Sequence, residues 1–202
     1  MSRFDFVAAT GNPGKLREIA DVLEQVGFGC VSTKSLGVKL EDEENGKTFL
    51  ANAKIKAYEA RRKTGKAVVA DDSGLQVDAL GGAPGVYTAR YAGEGASDDA
   101  NMDKLLAALE GLPREERTAR FVSTVVAILP DGSEVVARGT VEGWIGFERS
   151  GEHGFGYDPI FYLGDGRSLS DLTDLERYTM SHRARALRKL AFKLRGIKRI
   201  KI

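Results

Sequence analysis

Several short stretches of this chain carry residue types capable of chemistry. Thr10-Gly11-Asn12-Pro13-Gly14-Lys15 stands between an apolar run and a helical pattern. Backbone N–H groups at a helix start are unpaired and carry partial positive charge, and glycines let a ligand approach the backbone. Lys15 adds a full charge, so the stretch suits a phosphate. It is not a Walker A loop, which would place Gly at position 9 and Ser or Thr at 16, where this chain has Ala9 and Leu16. An ordinary strand-to-helix turn with a surface lysine would have the same composition.

Glu41-Asp42-Glu43-Glu44 gathers carboxylates before Asn45-Gly46. A hard divalent cation such as Mg2+ takes one or two carboxylates and shares its other positions with water and phosphate; a solvated acidic loop is the alternative. Asp71-Asp72-Ser73-Gly74 is expected as a loop at the end of a strand, where ligands of α/β sheets bind. Neighbouring strand side chains point to opposite faces, so one aspartate is expected to act while the other satisfies local groups. In Gly151-Glu152-His153-Gly154-Phe155-Gly156-Tyr157-Asp158-Pro159, a ring can lie against a planar base and Asp158 can accept from ring N–H groups. Stacking of that kind contributes about 1–3 kcal/mol per base; buried aromatics in a glycine-rich loop are the alternative. Ser181-His182-Arg183, with Arg177 upstream, offers donors, or a helix cap followed by exposed basic residues.

The elements that must position these residues follow from apolar spacing. Phe4 to Ala9 reads as a strand, and Leu16, Ile19, Leu23 and Val26 recur at helical spacing up to Gly27. Phe28 to Ser32 reads as a second strand, residues 48–64 as a helix stopped by Gly65, and Ala67 to Ala70 as a short strand. Ser97 caps a helix running to Glu110. Phe121 to Leu129 and Glu134 to Ile145 flank the turn Pro130-Asp131-Gly132-Ser133 as a hairpin. The last helix is expected from Ser181 onward, with Leu187, Leu190, Ala191 and Leu194 as its stripe. Strands interleaved with helices and a long hairpin imply an α/β protein with a mixed sheet.

Composition narrows the function classes. The chain has 202 residues, enough for one domain or two small lobes sharing a core. Thirty Lys and Arg against 29 Asp and Glu leave a net charge of +1, which argues against non-specific nucleic-acid binding. A single cysteine, Cys30, excludes an internal disulfide and suits a reducing compartment. No apolar run is long enough for a signal-peptide core or a membrane span, so a cytoplasmic protein without membrane or nucleic-acid partners is expected.

With these features in one order, the chain resembles the inosine triphosphate pyrophosphatase (XTP/dITP diphosphatase) family. The matching residues are Thr10-Gly11-Asn12 with Lys15, Glu43-Glu44-Asn45-Gly46 with Thr48-Phe49, Asn52-Ala53, and Asp71-Asp72-Ser73-Gly74-Leu75. They continue through Leu80 to Gly85, Ala89-Arg90-Tyr91, Ala119-Arg120-Phe121, Gly154 to Phe161 and Ser181-His182-Arg183. The resemblance spans essentially the whole chain, 1–202, as a single nucleoside triphosphate pyrophosphatase domain. It implies an elongated, two-lobed molecule with a central mixed sheet flanked by helices and a nucleotide cleft between the lobes. It also implies a Mg2+-dependent homodimer that hydrolyses ITP, dITP and XTP to the monophosphate and pyrophosphate, cleansing the nucleotide pool.

Carried across by motif, Thr10, Gly11, Asn12, Pro13, Gly14 and Lys15 would cradle phosphate, and Glu43 and Asp72 would hold Mg2+. Asp72 would also accept the proton. Ser73, Phe155, Gly156, Tyr157, Asp158, Arg177, His182 and Arg183 would contact the nucleotide. The chain departs from the family at Ala51, where Glu is usual, and at Arg177, where Lys is usual. The first removes a carboxylate near the expected metal and keeps open a nucleotide-binding protein with reduced hydrolysis, besides a pyrophosphatase of another base preference. The second keeps charge but not geometry.

Overall fold

The computed structural model describes residues 5–41, 44–151 and 154–200. Six strands form one sheet: β1 (Phe6–Ala8), β2 (Cys30–Ser32), β3 (Val68–Val77), β4 (Thr118–Ile128), β5 (Glu134–Ile145) and β6 (Phe161–Tyr162), in the order β2-β1-β3-β4-β5-β6. β1 pairs in parallel with β2 and β3, whereas β5 and β6 are antiparallel, so the sheet is mixed as expected. The helices are α1 (Pro13–Gln25), α2 (Phe49–Thr64), α3 (Asp98–Ala108), α4 (Asp174–Met180) and α5 (His182–Ile200). The chain divides into two compact units, Met1–Asp72 with Ser123–Gly139 and Arg183–Ile202, and Ser73–Val122 with Thr140–His182. The divisions fall within β3, β4 and β5 and after the first residue of α5.

In the first unit, strand alternation sends side chains to two faces. Phe6, Ala8, Val69, Val125 and Ala127 pack with Ile19, Val22 and Leu23 of α1 and Leu187, Leu190 and Leu194 of α5. Val7, Ala9, Val68, Ala70, Val126 and Ile128 pack with Ala53, Ala57 and Ala60 of α2. Each fully buried leucine, such as Leu187 or Leu190, contributes about 1.5–3 kcal/mol relative to exposure. In the second unit Leu75, Val77, Leu105, Phe121, Ile145 and Phe161 share a separate core.

Local chemistry explains the helix bounds. The Asn12, Thr48 and Ser97 side chains cap α1, α2 and α3 by accepting from Lys15, Ala51 and Ala100 N–H. Gly65 ends α2 in the left-handed region at φ 66°, where a side chain would be strained. One expectation is corrected. The strand expected over Ala67 to Ala70 runs on to Val77, so Asp71, Asp72 and Ser73 lie inside β3 rather than in a loop after it. It continues because both aspartates find cations close to the strand, on opposite faces. The closing helix is preceded by α4, which a Thr173/Glu176 capping box starts and extended Ser181 ends.

Candidate functional site

β1 aligns Ala8 with Val69 of β3, so Asp71 and Asp72 lie just past the last paired residue of β1. The chain leaving β1 forms the Thr10–Lys15 turn into α1. Asn12 N–H donates to Thr10 Oγ1 (3.1 Å), and Asn12 Oδ1 accepts from Lys15 N–H (3.1 Å). Pro13 has no N–H to satisfy, which suits the first helical position. The Gly14 N–H meets no acceptor among the described residues and remains open for an anion.

From this turn the Lys15 ammonium reaches Asp71, with Nζ 3.0 Å from Oδ2. Arg183, at the start of α5, donates through Nε to the same oxygen at 3.1 Å and through Nη1 to Glu18 Oε1 at 3.2 Å. Burial opposes the charge of Asp71, yet Lys15, Arg183 and Lys56 hold its carboxyl well below the usual range. Burial raises Glu18 above its ordinary value against the pull of Arg183. Asp71 is thus a fixed anion that orients two cations.

Asp72 faces α2. Lys56 Nζ stands 3.6 Å from Asp72 Oδ1 and 3.1 Å from Glu44 Oε2, a cation held between two carboxylates. The Asn52 side chain favours the ionised form of Asp72 and accepts from Gly46 N–H at 2.8 Å. Asp72 Oδ2 is buried and has no hydrogen-bond partner among the described residues. Burial pushes the Asp72 carboxyl up; Lys56 opposes this and Glu44 adds to it. Glu43 lies outside the described residues. Among the described residues no group of three or more His, Cys, Asp or Glu side chains is arranged to hold a metal.

The remaining expected contacts, Arg183 apart, belong to the second unit. Phe155 is 68% exposed, so its ring is open to stacking, whereas Tyr157 is buried with its hydroxyl donating to Thr88 O at 2.9 Å. Gly156 N–H donates to Asp98 Oδ2 at 2.7 Å. Burial pushes Asp158 up to about 6, offset in part by the Phe155 N–H and by Arg177, whose Nη1 lies 4.0 Å from Asp158 Oδ2. Gly154, at φ 99°, gives Asp158 room: a Cβ there would come within 2.7 Å of Asp158 Oδ2. His182 stacks on Phe121 with ring centroids 5.1 Å apart. Ser73 is half-buried on β3.

A profile described as the Ham1 family matches residues 6–193. The chain belongs to the Ham1 family. It is 46% identical over 186 residues to a Bacillus subtilis protein named dITP/XTP pyrophosphatase, covering 92% of this chain and 94% of that one. Among solved structures, the Staphylococcus aureus Ham1 protein superposes with a TM-score of 0.88 at 39% identity, covering 96% of this chain and 99% of that one. A Mycobacterium abscessus nucleoside-triphosphatase / dITP/XTP pyrophosphatase gives 0.80 at 45% identity, covering 92% and 97%. No helix among the described residues of this Ham1 chain is long and apolar enough to cross a membrane.

Lys56 and Glu18 did not emerge from sequence reading. Lys56 had a signal: it stands four residues after Asn52 on α2, hence on the same helical face. Glu18 had none, because its partner Arg183 is remote in sequence. At the Ham1 chain's departure, Ala51 N–H donates to Thr48 Oγ1 and the side chain is a bare methyl on the first turn of α2.

Proposed function

We propose that this chain hydrolyses deaminated purine nucleoside triphosphates (ITP, dITP and XTP) to the monophosphate and pyrophosphate. The observation that carries this reading is Asp72, a buried carboxylate on β3 that shares Lys56 with the carboxylate of Glu44. Its relatives bear the name dITP/XTP pyrophosphatase over nearly their whole length.

The donors present suit Mg2+. The unpartnered Asp72 Oδ2, with Glu44 across Lys56, supplies hard oxygen ligands, and Mg2+ needs only one or two carboxylates when phosphate and water complete its sphere. Asp72 and Glu43, or Glu44 in its place, would hold the ion. When bound, Mg2+ neutralises phosphate oxygens. The Gly14 N–H and Lys15 take further phosphate charge, as oriented donors do in phosphoryl transfer. The oxygen of a water attacks the α-phosphorus, its proton passes through a second water to the Asp72 carboxylate, and the bond to the β-phosphate oxygen breaks as pyrophosphate leaves. We assign base recognition to Phe155, Asp158, Arg177 and His182, and assign Arg183 to holding Asp71. A donor facing the 6-oxo group of hypoxanthine would meet the amino group of adenine, leaving polar groups unpaired at about 1–3 kcal/mol.

The same reading takes 1–202 as one functional domain, acting as a homodimer in the cytoplasm. Incubating the purified chain with dITP, ITP, XTP and dATP with and without Mg2+, assaying pyrophosphate separately from orthophosphate, tests it. Metal-dependent pyrophosphate from the deaminated nucleotides is the expected result. Orthophosphate alone, or equal turnover of dATP, would refute it. Ala51 favours one second reading, a chain that binds dITP but turns it over slowly; tight binding with negligible pyrophosphate identifies that case.

A further inference from the structure

Asp98 opens α3 and lies outside the residues assigned to base recognition, yet its Oδ2 accepts the Gly156 N–H at 2.7 Å. Gly156 directly follows Phe155, whose exposed ring is the one assigned to stacking. Gly154 and Gly156 flank that residue with φ of 99° and 62°, and glycine loses more backbone freedom on ordering than any other residue. Untethered, the stretch would sample many conformations and hold the ring in none of them. α3 is a fixed support for it, because Met102, Leu105 and Leu109 are buried in the same core cluster as Tyr157.

The support grips on both sides of the ring. Ahead of it, Arg149 Nη2 lies 2.8 Å from Asp103 Oδ1 and donates to Asp99 O at 3.2 Å. After it, Tyr157 donates its hydroxyl to Thr88 O. The segment carrying Thr88 is itself held to α3 by Asn101, which accepts the Ala92 N–H at 2.7 Å and donates to Ala89 O at 3.2 Å. Within the loop, Phe155 N–H donates to Asp158 Oδ2 at 3.3 Å and Asp158 N–H to Phe155 O at 3.2 Å, which links ring and acceptor. A carboxylate in a first helical turn also interacts favourably with the helix dipole, and that role alone would leave ligand binding untouched. The bond to Gly156 adds a second consequence, since a loop ordered during folding loses little further entropy when a ligand arrives. We propose that Asp98 is a positioning residue that presets the Phe155 loop to stack on the purine base. This rests on the base-recognition reading given above.

The test compares Asp98→Ala, Asp98→Asn, Phe155→Ala and the combined Asp98→Ala, Phe155→Ala variant with the unaltered chain. In Asp98→Ala the KM for dITP should rise about fivefold, because the loop must then order on binding. Its kcat should stay within about twofold, since no reacting group is removed. Asp98→Asn keeps an oxygen acceptor for the Gly156 N–H and should recover most of the affinity. Phe155→Ala should weaken binding about tenfold. In that background Asp98→Ala should add less than about twofold, the non-additivity of residues that act through one another. Two readouts need no catalysis: calorimetric binding of dITP without metal should weaken in the same order, and amide hydrogen exchange at Gly156 should quicken in Asp98→Ala. If the unaltered chain binds dITP but releases no pyrophosphate, the hydrolytic reading fails, while binding and exchange still decide the role of Asp98. If it binds no dITP, both readings fall. Unchanged dITP affinity in Asp98→Ala, or full additivity with Phe155→Ala, overturns the proposal.

Discussion

Asp71 and Asp72 are adjacent in β3, yet their carboxylates serve different cations: Asp71 meets Lys15 and Arg183, and Asp72 meets Lys56. The alternation of a strand turns one carboxylate toward Lys15 and Arg183 and the other toward Lys56 of α2. Asp72→Asn should therefore lower turnover about 10^2–10^4-fold, the usual range for losing a general base. Its melting temperature should not fall, because a buried carboxylate with a raised pKa is replaced by a neutral amide. Near-normal turnover would remove Asp72 from the mechanism.

Asp71→Asn should behave in the opposite sense. It leaves Arg183 buried without the Asp71 carboxylate and, among the described residues, Lys15 without its ion-pair partner. Breaking a buried pair in this way costs about 3–5 kcal/mol. Urea unfolding should show that loss, with activity surviving in whatever fraction stays folded. A variant as stable as the parent would show that the Asp71 cluster contributes nothing to folding.

Asp158 supplies a pH dependence with a definite sign. Its folded pKa, about 6, lies above the ordinary 3.8, so folding favours the protonated form. The associated stability is fully present below pH 3.8 and is lost as pH rises through about 6. A shift of this size corresponds to something on the order of 3 kcal/mol. Unfolding free energies of the parent and Asp158→Asn, taken at pH 4 and pH 7, should differ by a pH-dependent amount of that order and direction. Parallel curves would contradict the burial of this carboxyl.

Ala51→Glu should be a gain. Position 51 is the third residue after the Thr48 cap, where a glutamate completes a capping box like that of Thr173 and Glu176 in α4. The expected stabilisation is about 0.3–1.5 kcal/mol, read by thermal melting. The half-saturating Mg2+ concentration should fall if the new carboxylate also serves the cation; an unchanged value would limit Ala51 to a capping effect.

Lys189 and Lys193 cover the edge of the sheet. Lys189 Nζ donates to Arg138 O at 2.9 Å and Lys193 Nζ to Val136 O at 2.6 Å. A four-residue helical step of about 6 Å matches a two-residue strand step of about 6.7 Å. β6 pairs β5 through Trp144 and Ile145, so these lysines guard carbonyls nearer the start of β5, the kind of open edge to which another chain adds a strand. Replacing both by Gln should raise light scattering at high protein concentration with little change in melting temperature. A variant as monodisperse as the parent would show the lysines are not needed there.

Sequence alone determined what depends on neighbours in the chain. The cap at Ser97 and the glycine stop at Gly65 act within a few residues, so side-chain type suffices to place them. Apolar spacing likewise marked α1, α2 and the β4–β5 hairpin, and the ordered motifs marked the family. Only the tertiary structure decided which charges meet. Arg183 and Asp71 are 112 positions apart, and nothing in either neighbourhood marks them as partners. The same distant cations let β3 carry two aspartates through its middle, where sequence alone suggested a loop. Electrostatic energy depends on separation and burial in space, and both are created when the sheet brings α1, α2 and α5 to the residues just beyond β1.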